Sequence, residues 1–379
     1  MAEQSDAVEL KLAFFGESGS GKTCLASSFY GHQQAGDFVA QKGYSLLAAD
    51  PRDDEELLAR YNLLSVERRF PDATNIPRTY SLDLLIHELR EQPSALRIKW
   101  FDYPGEWWRT WPGSEEASAQ DLAFNQILET HVAFVLLDGS KYREQGAPYV
   151  KTALSNISNQ ITRQRRQMGA QNLPLGDYPQ EWVIALSKAD LLPGLTAKAF
   201  YEDLMRSAGQ ELKRLMLDVD RAPANGRPLN YMLLSSVSSA NGSKVDSLDS
   251  LGLELITPVA LLSAMKMLGE SISGQRRDDF WQSMWEGFLG ASTWFLKNLH
   301  LFEETAEELH PKLRPILQFL RAAEFHRYPE ATLESIRKEK SEAIQRRDAV
   351  RTTYLAMEEE IQSEDFKRVY FRPTLVPTA

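Results

Sequence analysis

Eight consecutive residues near the start of the chain, GESGSGKT at 16–23, constrain the fold more than any other feature. They match the pattern G-x-x-x-x-G-K-[ST] in full, after an apolar segment and before an amphipathic one. In this pattern backbone N–H groups and a helix N-terminus surround a phosphate chain, the lysine reaches the outer phosphates, and the hydroxyl ligates Mg²⁺. Residues expected to bind the phosphates are Gly16, Glu17, Ser18, Gly19, Ser20, Gly21, Lys22, Thr23 and Cys24. Cys24 is expected to be a small buried residue in the first helical turn rather than a redox group.

Short apolar segments alternate with longer amphipathic ones as far as residue 270. The strands predicted are 8–15, 82–87, 96–101, 131–137, 182–186 and 231–234, and the helices predicted between or after them include 24–30, 119–129, 198–217 and 257–268. Such alternation is typical of a mostly parallel sheet covered on both faces, with ligands at the carboxyl ends of the strands. We therefore predict an α/β fold, a three-layer P-loop NTPase domain over 1–270, followed by an all-helical C-terminal domain over 271–379.

The composition excludes several classes of protein. The 379 residues include 43 basic and 53 acidic side chains, a net charge of −10, which argues against a dominant attraction to nucleic acid. A single cysteine permits no internal disulfide, and the N-terminus has no basic-then-apolar leader, so we expect a cytoplasmic protein. No apolar, uncharged segment of eighteen residues suggests a transmembrane helix. Whether the chain forms oligomers is left open.

Beyond residue 280 the sequence favours helices. The tryptophan-rich segment 280–296 is interpreted as buried, with peripheral contact to a membrane interface as the alternative. The apolar spacing of 333–361 suits either a coiled-coil seam or a helical hairpin within the chain, and the second is favoured because Lys340 and Arg347 lie on the seam. The tail after 368 has two prolines and is expected to be extended or docked.

The stretch KWFDYPGEWWRTW at 99–111 places Asp102 and Gly105 at the end of a strand predicted to lie beside the phosphate-loop strand. There the carboxylate can hold Mg²⁺ through water, and the glycine N–H can approach a γ-phosphate because no Cβ blocks it. If the turn moves when the γ-phosphate leaves, Trp107, Trp108 and Trp111 move with it. Their aromatic surface is then a predicted contact for a protein effector or regulator, although at least one of them is expected to be core.

Two later segments point to a purine base. SKAD at 187–190 ends a predicted strand, and in the N/T-K-x-D pattern of guanine-nucleotide proteins the carboxylate accepts from the guanine N1–H and 2-amino group. Adenine lacks both donors, so Asp190 selects guanine, with the stem of Lys188 along the base. Ser187 replaces the usual Asn or Thr, and its hydroxyl is expected to bridge toward the phosphate loop. The next strand ends LLSSV, where a backbone N–H of Ser235, Ser236 or Val237 can meet the guanine carbonyl; this is the weakest of the signals.

Taken in order, GESGSGKT, FDYPGEW, SKAD and LLSSV resemble the translation-factor-related (TRAFAC) class of P-loop GTPases, and RFPDATNIPRT with DYPGEW is similar to the YcjX-type bacterial GTPase-like proteins. The resemblance spans 8–268 and implies Mg²⁺-dependent binding and hydrolysis of GTP to GDP by a molecular switch. It also implies that a threonine ahead of the second strand completes the Mg²⁺ shell. Thr74 and Thr79 both qualify, and Thr79 is preferred because it lies closer to the strand. The long first switch segment, 31–80, is expected to form a lid over the nucleotide.

Glu106 follows the sensor glycine and can orient the attacking water, yet its charge repels the γ-phosphate, so hydrolysis without a partner is expected to be slow. The catalytic residues are therefore taken as Lys22, Gly105 and Glu106. Compensating positive charge is expected from Arg78, Arg109, Arg143, a partner's arginine or potassium. Two alternatives stay open, a P-loop ATPase or kinase with ITRQRRQ at 161–167 as a basic lid, and a nucleotide-binding interaction protein with little turnover.

Overall fold

The computed structural model describes residues 8–74, 76–86, 96–108, 126, 129–170, 181–219, 229–239, 244–261, 263, 357, 361 and 367–370. Its eight strands are β1 Val8–Gly16, β2 Tyr44–Ala48, β3 Arg78–Ile86, β4 Leu96–Asp102, β5 Val132–Asp138, β6 Glu181–Ser187, β7 Asn230–Leu233 and β8 Val369–Tyr370. Its helices are α1 Lys22–Gln33, α2 Gly36–Lys42, α3 Pro51–Ser65, α4 Gly139–Gln145, α5 Ala147–Ala170 and α6 Ala197–Val219, and a further one covers 256–261.

The strands form one sheet in the order β2-β3-β4-β1-β5-β6-β7-β8. The five central strands from β4 to β7 are parallel, because β1 pairs in parallel with β4 and β5, and β6 pairs in parallel with β5 and β7. The strands β2, β3 and β8 pair antiparallel to their neighbours at the two edges. This mixed, mostly parallel sheet agrees with the predicted α/β domain.

Helices cover both faces of the sheet. On one face α1 and α3 pack with Ile256 and Val259 in one apolar cluster, and on the other α5 and α6 pack in a second cluster. All seven residues of β5 and of β6 are buried, as expected for central parallel strands covered on both sides. Helix α3 begins after Asp50, whose carboxylate accepts from the Arg52 N–H at 2.9 Å, with Pro51 at the first helical position. The two clusters hold the strand ends in place at the carboxyl edge of the sheet.

The strands predicted from sequence are all present, but two were missed. The first, β2, lies in the long segment expected to be a lid and instead extends the sheet beside β3. The second, β8, lies in the C-terminal tail and pairs with β7 through Met232 and Val369. No strand was predicted there, but residues 369–370 agree with the expectation that the tail is extended or docked.

Several other predictions fall outside the described residues. They concern the helix 119–129 apart from its residues 126 and 129, the segment 280–296, and most of the seam at 333–361. The last two seam positions, Met357 and Ile361, are helical and buried in the cluster that contains Leu253 and Ile256. At these two positions the helix packs against the same chain. Within the described residues no helix combines the length and apolarity that crossing a bilayer requires.

Candidate functional site

The phosphate-binding loop connects β1 to α1 with an exceptional backbone. Gly19 and Gly21 have φ of 80° and 88°, a region that side chains disfavour, so glycine is required at both positions. The turn brings Lys22 back over the loop, where its Nζ donates to the carbonyl oxygens of Gly16 at 2.8 Å and Glu17 at 3.0 Å. Burial lowers the pKa of Lys22 to about 8, although the carboxylates of Asp102 and Glu17 act to raise it. Among the described residues, the hydrogen bonds of this buried lysine thus go to neutral oxygens.

Asp102 lies at the end of β4, and Phe14 of β1 pairs directly with it, so the predicted adjacency of the two strands is confirmed. Its carboxylate is fully buried, and Oδ2 accepts from the hydroxyls of Thr74 at 3.1 Å and Thr23 at 3.3 Å. These two hydroxyl oxygens are 2.6 Å apart. Burial raises the pKa of Asp102, and the nearby charge of Lys22 counteracts this shift. One carboxylate and two hydroxyls thus meet at the first turn of α1.

The same three groups fit a magnesium ion. Asp102 Oδ1 is buried and has no hydrogen-bond partner among the described residues, and a buried carboxylate oxygen left in this state is costly. Mg²⁺ prefers oxygen ligands and is commonly held by one or two carboxylates together with phosphates and water. No cluster of three or more His, Cys, Asp or Glu that could hold a metal ion occurs in the described part of the chain.

Thr79, the preferred threonine in the sequence analysis, does not reach this site. It lies within β3, where it pairs with Phe101, and its side chain is exposed. The strand begins at Arg78, four residues earlier than predicted, and this register leaves Thr74 rather than Thr79 beside Asp102. A sequence signal could have located the start of the strand, because the apolar residues Tyr80, Leu82 and Leu84 alternate with polar ones. In the structure these three apolar side chains are buried.

The turn after Asp102 packs directly against the phosphate loop. A Cβ at Gly105 would lie 2.4 Å from the Ser18 backbone nitrogen and 2.7 Å from the Glu17 carbonyl carbon. The close approach that requires glycine is therefore to the loop backbone itself, whereas the sequence analysis attributed it to the γ-phosphate. Gly105 begins the 3-10 turn Gly105–Trp108, and the second residue of this turn, Glu106, is exposed. The side chains of Trp107 and Trp108 and the whole of Arg109 and Trp111 lie outside the described residues.

The turn after β6 carries the predicted base-binding residues. Asp190 Oδ1 accepts from the Ser235 hydroxyl at 2.6 Å, and its Oδ2 accepts from the Ser239 N–H at 3.2 Å. Lys188 has a positive φ of 52° and donates through Nζ to Asp138 Oδ2 at 2.8 Å. Asp190 is therefore held by Ser235 and Ser239, and Lys188 is held by Asp138. The sequence analysis did not anticipate the roles of Asp138 and Ser239.

Ser187 does not bridge toward the phosphate loop as expected. Its hydroxyl donates instead to the Leu137 carbonyl on the adjacent strand at 3.1 Å, and the side chain is buried. The Ser235 hydroxyl lies 2.7 Å from the Val237 carbonyl as well as close to Asp190, and the Ser235 N–H pairs with the Leu251 carbonyl. Of the three residues proposed to meet the guanine carbonyl, Ser235 thus has its N–H engaged already.

One cavity of about 450 Å³ brings most of these groups together. Its lining includes the predicted residues Ser18, Gly19, Ser20, Gly21, Lys22, Thr23, Cys24, Thr74, Gly105, Ser187, Lys188, Asp190, Ser235, Ser236 and Val237. Among the described residues of the long segment 31–80, those that line the cavity are 70–74. Most of the others form α2, β2 and α3, so the prediction of a lid now concerns these five residues. Burial raises the pKa of the Cys24 thiol to about 12, so this thiol stays protonated.

Several lining residues were missed by sequence reasoning. They are Leu25, Phe70, Pro71, Asp72, Ala73, Tyr103, Ser140, Glu144, Leu191 and Ser239. Arg143, one of three candidate arginines, also lines the cavity, whereas Arg78 lies in β3 at 3.6 Å from Glu56. The segment 161–167 forms part of α5, with Ile161 buried in the apolar cluster, so it does not form a lid over the cavity.

No protein-family model matches the chain, and no curated protein matches it. Among solved structures, it is similar to translation elongation factor SelB from Methanococcus maripaludis with a GTP analogue, at 11% identity over 61% of this chain and 30% of that chain, with a TM-score of 0.27. Era with MgGDPNP and part of 16S ribosomal RNA has 12% identity over 67% and 56%, with a TM-score of 0.29.

The cytosolic domain of the T. maritima FeoB iron transporter in its apo form has 13% identity over 94% of this chain and 98% of that chain, with a TM-score of 0.28. The chain thus spans 30% to 56% of the first two proteins. The fold is therefore assigned from the strand order of the sheet and from the phosphate-binding loop of this chain. The mostly parallel sheet, its covering helices and the loop at its carboxyl edge fit a P-loop nucleoside-triphosphatase α/β domain.

Proposed function

We propose that this protein is a Mg²⁺-dependent, GTP-binding and GTP-hydrolysing switch that signals its nucleotide state to a protein partner. The observation that carries the proposal is the convergence of Lys22, Thr23 and Asp190 on one cavity. Had these groups faced separate cavities, a phosphate loop and a base-recognising carboxylate could not act on one ligand. The cavity volume of about 450 Å³ lies in the range of small-molecule and cofactor sites.

Recognition of guanine is proposed for Asp190. Each of its oxygens accepts one hydrogen bond from the protein, from Ser235 and from Ser239, and each keeps a further lone pair for a ligand donor. Guanine offers two such donors, the N1–H and the 2-amino group, whereas adenine offers neither. Beside adenine these remaining lone pairs would face no donor of the base, and this difference supports selection of guanosine nucleotides.

Magnesium is proposed to be held by Thr23, Asp102 and Thr74, the donor set that the buried, unpaired Asp102 Oδ1 favours. When bound, the ion would neutralise charge on the outer phosphates. The residues of the chain then have separate tasks. Lys22 binds the phosphates, and the Gly105 turn, which packs against Ser18, senses the terminal phosphate. Glu106, exposed on that turn, is proposed to orient the attacking water.

Signalling to a partner is proposed to use the same turn. A change at the terminal phosphate acts on Gly105 through the loop backbone, and Trp107 and Trp108 follow it in the same 3-10 turn. A kinase is less well supported, because the basic segment 161–167 belongs to α5 and is not placed over the cavity.

Calorimetry with GTP, GDP and ATP on the wild type and on Asp190→Asn tests this proposal. We expect GTP and GDP to bind and ATP not to bind, and the variant to lose guanine-nucleotide affinity by on the order of a few kcal/mol because the base donors lose their charged acceptor. The matched control is Asp249→Asn, an exposed carboxylate that interacts with Ser247 and does not line the cavity.

Thermal unfolding of both variants separates lost recognition from lost folding. Equal binding of ATP and GTP by the wild type, or unchanged GTP affinity in a folded Asp190→Asn variant, would contradict guanine recognition. Turnover at saturating GTP, with and without potassium, then distinguishes a hydrolysing switch from a nucleotide-binding protein with little turnover.

A further inference from the structure

Three cationic side chains of the described residues line the cavity, and they differ in the groups that bind them. The Lys22 ammonium donates to the Gly16 carbonyl at 2.8 Å, and Lys188 is paired with Asp138 at 2.8 Å. Arg143 is exposed, and across the part of the chain that the structure describes its side chain has no ion pair or hydrogen bond. It is therefore the one lining cation within this part that is not already engaged by the protein.

Arg143 faces the cavity as part of a regular helical surface. Ser140, Arg143 and Glu144, at positions i, i+3 and i+4 of α4, all line the cavity and so share one face of the helix. The start of α4 lies tightly against the base-binding turn, because a Cβ at Gly139 would come within 2.3 Å of the Ser187 carbonyl oxygen. The face that carries Arg143 is thus oriented by backbone packing.

Helix α4 is fixed to both halves of the site. At the base end, Asp138 accepts from the Ser140 N–H at 2.9 Å through Oδ1 and from Lys188 through Oδ2. At the phosphate end, Lys141 of α4 pairs with Glu17 of the phosphate loop at 2.5 Å. These two attachments, at Asp138 and Lys141, hold the first turn of a short helix in a defined position. Arg143 follows in the next turn, so contacts with the nucleotide-binding turns determine where it lies.

We propose that Arg143 supplies, from the same chain, the positive charge that hydrolysis of the triphosphate requires. This proposal rests on the proposed GTPase function and names the catalytic cation. In the reaction, the oxygen of water forms a bond to the γ-phosphorus, and the bond from that phosphorus to the β–γ bridging oxygen breaks. The products are GDP and inorganic phosphate, and one proton of the water passes to the phosphate or to solvent. The guanidinium is proposed to contact the oxygens on which negative charge develops.

The chemistry of the side chain suits this role. A guanidinium is planar, stays charged at all relevant pH values and donates in a fork that matches phosphate oxygens. The anionic residues in the lining, Asp72, Glu144 and Asp190, increase the need for such a cation when a triphosphate enters. Arg78 is less suited because it lies in β3 beside Glu56 and does not line the cavity.

The test compares single-turnover hydrolysis of GTP by the wild type, R143A and R143K. Because an arginine at the transferred phosphoryl group is worth about 10³-fold or more in rate, we expect R143A to lose about that factor at saturating GTP. R143K should recover part of it, since the charge is kept but the fork is lost. Affinity for GDP, which lacks the transferred group, should change by less than about threefold on this reasoning. The matched control is R206A, which removes an exposed arginine of α6 that lies outside the cavity.

The outcomes are distinguishable. A rate for R143A within about twofold of the wild type, with R206A also unchanged, would overturn the assignment of Arg143 and leave the GTPase function standing. Equal losses of GTP and GDP affinity at an unchanged saturating rate would overturn it too, because Arg143 would then act only in ground-state binding. A wild type that binds GTP and does not hydrolyse it would overturn the proposed function and this assignment together.

Discussion

Binding of a triphosphate should be coupled to uptake of a proton by Lys22. The side chain is 5% exposed, and burial lowers the pKa of Lys22 from 10.5 to about 8. This difference corresponds to about 3 kcal/mol against the charged form. Phosphate oxygens would replace the neutral carbonyl oxygens to which Nζ donates among the described residues, so a bound nucleotide should restore the charged lysine.

The size of the effect follows from the pKa of about 8. At pH 8 about half of the free protein carries a neutral Lys22, so binding should take up about half a proton, and at pH 7 only about a tenth. The sign for stability is opposite to that for binding. Between pH of about 8 and 10.5 the unfolded chain holds more protons than the folded one, so the nucleotide-free protein gains stability as pH rises through this window. Affinity for the triphosphate should fall over the same window.

Calorimetry with Mg²⁺ and a non-hydrolysable GTP analogue, in buffers that differ in ionisation enthalpy, measures the number of protons taken up. In K22R the guanidinium is always charged, so the uptake should disappear if the variant binds. If K22R does not bind the analogue, the proton uptake of the wild type at pH 7 is compared with its uptake at pH 8. Tight binding with the same proton uptake at both pH values, or with none at pH 8, would refute the reasoning.

Two further substitutions test the geometry of the site. Thr74→Val should raise the Mg²⁺ concentration needed for triphosphate binding by about tenfold or more, because it removes the hydroxyl 3.1 Å from Asp102. The control, Thr79→Val, should leave this concentration unchanged. Equal Mg²⁺ titrations of the two variants would restore Thr79 as a candidate ligand. Gly105→Ala should destabilise the protein by about 1–3 kcal/mol in denaturant unfolding, because its Cβ would overlap the loop backbone. Gly36→Ala, which has open space, is the control, and unfolding midpoints that match for both would contradict the close packing of Gly105.

Much of the central sheet and of the site could be predicted because the signals are local. The run 132–138 is buried at every position, so continuous hydrophobicity identified it, and the glycines of the phosphate loop identify a turn that other residues disfavour. The adjacency of β1 and β4, shown by the pairing of Phe14 with Asp102, followed from placing both functional segments at one sheet edge. The hydrophobic pattern of the two strands and the placement of their functional residues both required that β1 and β4 be neighbours.

The parts that could not be predicted depend on long-range pairing. The strand Tyr44–Ala48 has five residues, too few to distinguish a strand from a helical segment by periodicity, and its pairing with β3 decides the matter. The strand Val369–Tyr370 has two residues and exists through its hydrogen bonds to β7. Arg143 was one of three arginines named from the sequence, but no local pattern could select it, because the contacts of α4 with the loop determine its position.

The attachment of the C-terminal residues limits how a nucleotide signal can travel. The Lys367 carbonyl accepts from the first residue of α6, and the Arg368 carbonyl accepts from Leu233 of β7 at 2.9 Å. Because β7 leads directly to Ser235, these contacts join the C-terminal residues to the base side of the site, and the base is identical in GTP and GDP. On the proposed function, they would respond to whether a guanine nucleotide is bound but not to its number of phosphates. A signal that distinguishes GTP from GDP would begin at the phosphate loop, against which Gly105 packs on the other side of β1. We therefore predict that a partner would detect hydrolysis at the turn 105–108 rather than at the C-terminal strand.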